Sequence, residues 1–188
     1  MRGKNLKLDL GQVLSRARMV VDTGEYTLEQ GLNGGADPEA NSPYSPGSDG
    51  KPKTADCVGV GMWIQGLDRY QPQIAYYGGW VNTNSVFGMP ELFDNLGQDF
   101  GAVKPGDALV YPSYRDLLGR KHYGHWMTVV STLVPGKGGD LLTARNATKL
   151  SELTVVHCSQ RKAPATRKTP GFAKGKASSW AFFRPVWR

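Results

Sequence analysis

The sequence is poor in cysteine and histidine, and it contains no long apolar run. Its two cysteines are too few for the disulfide framework of a small secreted domain, or for a zinc site built on cysteines. No stretch approaches the roughly 18 apolar residues of a membrane-spanning helix, and the first residues lack the apolar stretch of a secretory signal peptide. We therefore predict one soluble domain over residues 1–188, made in the cytoplasm and without an integral membrane segment.

Acidic residues are missing from the last part of the chain. Residues 161–188 contain Lys and Arg but no Asp or Glu, although the chain as a whole has 23 Lys+Arg and 16 Asp+Glu. This basic segment is either a solvated surface or an electrostatic contact to a polyanion, such as bacterial cell wall or an anionic lipid surface. Nucleic acid is the least expected partner, since the aromatic residues of the segment form no evident stacking array.

The apolar pattern is helical in the first half of the chain and alternating in the second. Gly, Pro, Asn, Ser and Asp dominate residues 31–54, which predicts a long loop. Helices followed by strands favour an α+β fold, in which N-terminal helices pack on a central antiparallel β-sheet. The predicted helices cover 8–21, 57–67 and 84–95, and the predicted strands cover 108–111, 125–134, 153–159 and 180–187, with a less certain segment at 141–150.

Two glycines lie inside the predicted helix at 57–67, namely Gly59 and Gly61. Each glycine costs a helix about 1 kcal/mol relative to alanine. Glycine at two positions of one short helix therefore predicts a close approach of this helix to another element.

Cys57 stands where the Gly/Pro-rich loop becomes this helix. A thiol at a helix N-terminus is close to unpaired backbone N–H groups and to the positive end of the helix dipole, and both stabilise a thiolate. The same N–H groups can stabilise an oxyanion during acyl transfer. A neighbouring imidazole, oriented by a third polar group, would complete an activated nucleophile.

The histidines available for that role are His122, His125 and His157. His125 begins one predicted strand and His157 lies near the end of another, so His125 can be the base and His157 its orienting group if the two strands are neighbours. His122, in a polar turn, is the alternative base. Cys57 could instead be a buried structural residue or, with His125 and His157, a zinc ligand, although no spacing matches a usual ligand pair. Cys158 is predicted to be structural, because adjacent strand residues point to opposite faces.

Four runs of the sequence resemble, in the same order, the motifs of the NlpC/P60 cysteine peptidases. They correspond to that family's Asp-Cys-Ser-Gly-Phe, Pro-Gly-Asp-Leu-Val and Gly-His-Val-Gly-Ile motifs and to a later strand with a polar residue. Val58 stands where the family has Ser. The matching runs are TADCVGV at 54–60, VKPGDALV at 103–110, GHWMTVV at 124–130 and VVHC at 155–158.

A further resemblance lies upstream, where Tyr26 and the following Gly34-Gly35 are similar to a Tyr-x-x-Gly-Gly stretch whose tyrosine lines the family's active site. Tyr44, in the same loop, competes with Tyr26 for that position.

The resemblance implies a papain-like NlpC/P60 fold and hydrolysis of an amide bond in the peptide stems of bacterial peptidoglycan, by a Cys-His-His mechanism without metal or cofactor. Cys57 would be the nucleophile, His125 the base and His157 the group that orients it. Tyr26 and Asp56 would contact the substrate or the oxyanion.

The resemblance also implies an endolysin-like lytic enzyme that reaches the cell wall from the host cytoplasm after holin-type release, virion delivery or injection. The basic segment would hold it on an anionic wall or outer membrane. Two other functions stay open on the sequence: a non-catalytic wall-binding module on the same fold, and a thiol amidase or acyltransferase with a non-wall substrate.

Overall fold

The computed structural model describes residues 5–23, 56–159, 162–168 and 179–187, with the backbone alone for 22–23, 158–159 and 162–168. Within these ranges the fold is α+β, with two α-helices, α1 (Leu10–Thr23) and α2 (Cys57–Ile64), and a sheet in which all strand pairs are antiparallel. This confirms the predicted class. Among the described helices, none is long and apolar enough to cross a membrane.

The main sheet has six strands in the order β1-β10-β2-β5-β8-β9, and two short hairpins, β3–β4 and β6–β7, stand apart from it. Its central strand, β5, carries His125 at its first position and lies between β2 and β8. The strands are, in chain order, β1 (Phe93–Gly97), β2 (Ala108–Tyr111), β3 (Tyr114–Arg115), β4 (Lys121–His122), β5 (His125–Ser131), β6 (Leu133–Val134), β7 (Arg145–Asn146), β8 (Thr154–Ser159), β9 (Lys162–Lys168) and β10 (Ala181–Pro185).

The helix predicted over 84–95 is wrong. The chain forms a single 3₁₀ turn at Ser85–Gly88 and then β1. Pro90 explains the difference, because it has no N–H to donate and disfavours the helical conformation of the residue before it. Met89 accordingly has φ −123° and ψ 63°, outside the helical region.

The predicted helices at 8–21 and 57–67 and the predicted strands are found, most of them with shifted ends, and strands β1, β3, β4 and β9 were not predicted. The strand predicted over 125–134 ends at Ser131, and Leu133 and Val134 leave the main sheet for a hairpin with β7. Strand β9 (Lys162–Lys168) was not predicted, since its composition is polar and basic and gives no alternating apolar pattern.

Helix α2 packs on β5 so closely that all eight of its residues are buried. An ideal Cβ placed on Gly61 would lie 2.2 Å from Cδ1 and Nε1 of the Trp126 ring, a distance at which only hydrogen fits. The predicted close approach is therefore confirmed for Gly61. It fixes the distance between the helix that begins with Cys57 and the strand that begins with His125.

The two faces of the sheet bury separate sets of side chains. Because strand residues alternate, Trp126 faces α2, and Met127 belongs to the apolar cluster on the other face. Helix α1 adds a second layer against α2 through Val13, Ala17 and Val20. The opposite face is covered by loop residues and includes Leu109, Met127, Val129, Leu150, Leu153, Val155 and Phe182.

Arg184 ties the last strand to the turn before β2. Its guanidinium donates to both carboxylate oxygens of Asp107, at 2.9 and 2.7 Å, and to the carbonyl of Ala102 at 2.7 Å. The N–H of Lys104 donates to the same carboxylate at 2.8 Å. One cation of the basic segment 161–188 is therefore part of the fold and is not available to an external polyanion.

Candidate active site

Asp56 sets the start of α2 and with it the position of Cys57. Its backbone is extended, with φ −82° and ψ 179°, and its Oδ1 accepts a hydrogen bond from the N–H of Gly59 at 2.7 Å. Its carbonyl accepts from Val60 N–H at 3.0 Å. This is N-cap geometry, in which side chain and carbonyl satisfy the donors of the first turn. Cys57 is consequently the first residue of the helix.

Arg69 holds Asp56 in that conformation. The two side chains form a two-pronged ion pair, Nη1 to Oδ1 and Nη2 to Oδ2, both at 2.8 Å. Arg69 is itself 3% exposed, lies over the Trp80 ring at 5.1 Å and donates from Nε to the carbonyl of Val81. Both oxygens of Asp56 are thus engaged within the protein, which gives this residue a positioning role at the helix start. Sequence reasoning missed Arg69, because nothing local links it to a carboxylate 13 residues away.

The Cys57 thiol is buried against the backbone of β5. Burial, and secondarily the charge of Asp56, raise the pKa of the thiol to about 12. Hydrogen bonds from the N–H groups of Trp126 and Val58, together with the Arg69 charge, act in the opposite direction without reversing the shift. The resting thiol is therefore neutral at pH 7, and a reaction through sulfur needs a base to take its proton.

His125 and His157 are brought together by strand pairing. Strands β5 and β8 are antiparallel neighbours, with Thr128 opposite Val156. His125 Nε2 and His157 Nδ1 share a hydrogen bond of 3.0 Å, with the two rings nearly perpendicular. The neighbouring strands that the sequence hypothesis required are therefore present.

The pKa of His125 is lowered to about 3, first by burial and then by the charge of His157. At neutral pH its imidazole is uncharged and can accept a proton. Because Nε2 is used by His157, the ring nitrogen that remains is Nδ1, the one closer to the main chain.

The thiol and His125 meet at the same end of β5. The backbone N–H of Trp126, the residue directly after His125, is close enough to the thiol to lower its pKa. The side chain of His125 leaves the strand on the face of Tyr111, its partner on β2, with ring centroids 6.1 Å apart. Burial and the nearby Cys57 raise the pKa of Tyr111 to about 12, so its hydroxyl stays protonated. No local pattern along the chain marks Tyr111 as a neighbour of the thiol.

A cleft of about 350 Å³ opens beside Cys57. Asn84 connects two segments that line the cleft, because its Oδ1 accepts hydrogen bonds from the backbone N–H and from the hydroxyl of Ser113, at 2.9 and 3.0 Å. The cleft is lined by Asp56, Cys57, Val58, Arg69, Asn82, Thr83, Asn84, Ser113, Lys121, Tyr123 and Gly124.

His122, the alternative base, lies on β4 in the β3–β4 hairpin. Its Nε2 is 3.0 Å from Asp116 Oδ2, and its ring stacks on Tyr114. It takes no part in the His125–His157 pair.

The predicted loop at 31–54, which contains Tyr44, falls outside the described residues, as do Tyr26 and the side chain of Cys158. In the described part of the chain, no group of three or more His, Cys, Asp or Glu side chains could hold a metal ion.

Comparison of the chain with protein-family models, with curated proteins and with solved structures finds no match. The resemblance to NlpC/P60 peptidases therefore rests on the sequence motifs.

Proposed function

We propose that this protein is a thiol hydrolase that cleaves an amide bond in the peptide stems of bacterial peptidoglycan. The observation that carries the proposal is the meeting of three groups at one end of β5. Cys57 begins a helix, its thiol lies close to the backbone next to His125, and His125 is hydrogen-bonded to His157. A nucleophile, a base and a group that orients the base are the parts that thiol-based acyl transfer requires.

The first half-reaction forms a thioester. As the Cys57 sulfur attacks the amide carbonyl, its proton passes to His125 Nδ1, and the electron pair of the C=O bond moves to oxygen. The N–H group of Cys57 lies at the start of α2, where it can donate to this oxyanion. His125 then gives its proton to the leaving amine, the C–N bond breaks, and an acyl-thioester with a neutral amine product results.

The second half-reaction returns the enzyme to its starting state. Water attacks the thioester while His125 accepts one of its protons, and that proton goes back to sulfur as the C–S bond breaks. His157 holds His125 in one tautomer and orientation throughout. The neutral thiol and neutral imidazole of the resting site match this cycle, because the proton moves only when substrate is attacked.

The cleft supports a peptide as substrate. Its volume lies within the range of about 300–1,000 Å³ that is usual for small-ligand sites. Amide and hydroxyl side chains, among them Asn82, Asn84 and Ser113, line it and can pair with peptide N–H and C=O groups. The choice of peptidoglycan as the source of that peptide, and an endolysin-like route to the wall, come from the motif resemblance. Cations of the basic segment 161–188 other than Arg184 would add attraction to an anionic wall.

The test is mass spectrometry of the soluble fragments released from purified Gram-negative peptidoglycan. Wild type and Cys158→Ala, the matched cysteine control, should release muropeptides, whose masses identify the bond. Cys57→Ala should release about 10³-fold less or none, as expected for loss of a nucleophile. Equal release by Cys57→Ala and wild type would show that Cys57 is structural. Release by no variant would favour a wall-binding module, or a thiol enzyme with a non-wall substrate.

A further inference from the structure

The β3–β4 hairpin forms a wall between the Cys57 cleft and a second cleft of about 280 Å³. Ser113 and Lys121 line both clefts, and Tyr114 and Arg115 complete the second one. A substrate bound at Cys57 can therefore extend past Lys121 towards Arg115.

Positive charge is concentrated at this wall. In the Cys57 cleft, Asp56 and Arg69 neutralise each other. Lys121 and Arg115 take part in none of the ion pairs formed among the described side chains. Lys121 instead places its ammonium 5.0 Å from the centre of the Tyr123 ring, and Arg115 donates to the carbonyl of Gly119. The second cleft has two cations and no acid among its lining residues.

The two cations lie directly opposite each other, since Arg115 pairs with Lys121 in the register of the hairpin. Like charges at facing positions destabilise a strand pair. The hairpin keeps them there because Asp116 holds its turn, accepting from Leu118 N–H at 2.9 Å, Arg120 N–H at 2.9 Å and Arg120 Nε at 2.8 Å. An anion bound between the two cations would relieve their repulsion.

We propose that Lys121 and Arg115 bind a carboxylate of the substrate next to the scissile amide, so that the enzyme selects acidic peptides. This assignment rests on the proposed function, in that the acidic peptide is the one presented to Cys57. A carboxylate fits because the planar Arg fork and the Lys ammonium are both strong donors to it.

The experiment uses two synthetic γ-D-glutamyl-diaminopimelate stem peptides, one with the glutamyl α-carboxylate free and one with it amidated. Wild type should hydrolyse the free acid with a KM about fivefold lower, as expected for a partly exposed charge pair. Lys121→Met should lose this preference, and Lys121→Arg should restore it. Lys137→Met, an exposed lysine of a remote loop, is the matched control and should behave as wild type.

A second readout does not depend on turnover. Calorimetric binding of both peptides to Cys57→Ala, with and without Lys121→Met, should show the same preference for the free acid only when Lys121 is present. If hydrolysis occurs but both peptides react and bind equally well, the carboxylate site is wrong and the hydrolase stands. If the free acid binds through Lys121 but wild type releases no product, the hydrolase is wrong and the anion site stands. Absence of Lys121-dependent binding in every arm overturns the site.

Discussion

His125 and His122 are three positions apart in the chain, and each has one close polar partner, yet their surroundings differ. His125 lies at the start of a central strand, pairs with another imidazole, and has a pKa lowered to about 3 mainly by burial. His122 lies on a surface hairpin, is more than a third exposed, and pairs with the Asp116 carboxylate. The hydrogen bond between the His122 and Asp116 side chains lowers the pKa of Asp116.

The difference separates two uses of histidine. A neutral imidazole on the strand next to a buried thiol can carry a proton in a reaction. An imidazole whose Nε2 is hydrogen-bonded to a carboxylate on a hairpin serves mainly to shape that hairpin. The protein thus has one histidine pair at its candidate active site, and a histidine–aspartate pair in the β3–β4 hairpin that lines the cleft.

The largest expected effect separates these two histidines by activity. His125→Ala should lower kcat/KM for muropeptide release by at least about 10²-fold, because general acid–base catalysis is usually worth about 10²–10⁴-fold. His122→Ala should stay within about threefold of wild type, because its ring does not touch the reacting groups. His157→Ala should fall between them, since it orients His125 without taking the proton itself. An equal loss in His122→Ala and His125→Ala would remove the distinction.

A smaller effect is expected on stability, from substitutions that test how closely α2 packs on β5. Gly61→Ala should destabilise the fold by about 1–3 kcal/mol, since its methyl group would overlap the Trp126 ring, and overpacking typically has that cost. The same change at Gly11, in the exposed first turn of α1, meets only one side-chain oxygen at 3.3 Å and should stabilise by up to about 1 kcal/mol. Urea unfolding of both variants measures the two free energies. A Gly61→Ala protein as stable as Gly11→Ala would contradict the close approach.

The smallest expected effect concerns the pH range in which protonation of His125 or of Asp116 lowers the free energy of unfolding. Both His125 and Asp116 have pKa values below their ordinary ones, so the unfolded chain binds more protons and stability falls as pH falls. For His125 the loss should lie between its ordinary pKa of 6.5 and about 3. For Asp116 it should begin near 3.8 and continue to lower pH.

Urea midpoints measured from pH 7 to pH 2 test this order. His125→Gln should flatten the decline between about pH 6.5 and pH 4, and Asp116→Asn should flatten only the part below about pH 4. If Asp116→Asn flattens the decline between about pH 6.5 and pH 4, then Asp116 or its hairpin partners, and not His125, titrate in that range.

Local patterns predicted those parts of the fold whose cause is local. The start of α2 follows from an Asp side chain that can cap the first turn, and β2 follows from the Pro-Gly-Asp turn before a run of apolar residues. The helix predicted over 84–95 is absent because Pro90 interrupts it, and the chain forms a 3₁₀ turn and then β1. Strand β9 was missed because its residues owe their conformation to pairing with β8 and not to their own pattern.

The candidate site shows the same division. The sequence by itself determined which chemistry was available: Cys57 at a helix start, and histidines near the ends of two strands. Tertiary structure decided that His125, and not His122, pairs with His157, since that depends on β5 and β8 being neighbours. It also decided that Arg69 anchors Asp56 and that Arg115 faces Lys121. These relations join residues through space, where distance and burial set the energy of interaction, and no spacing along the chain encodes them.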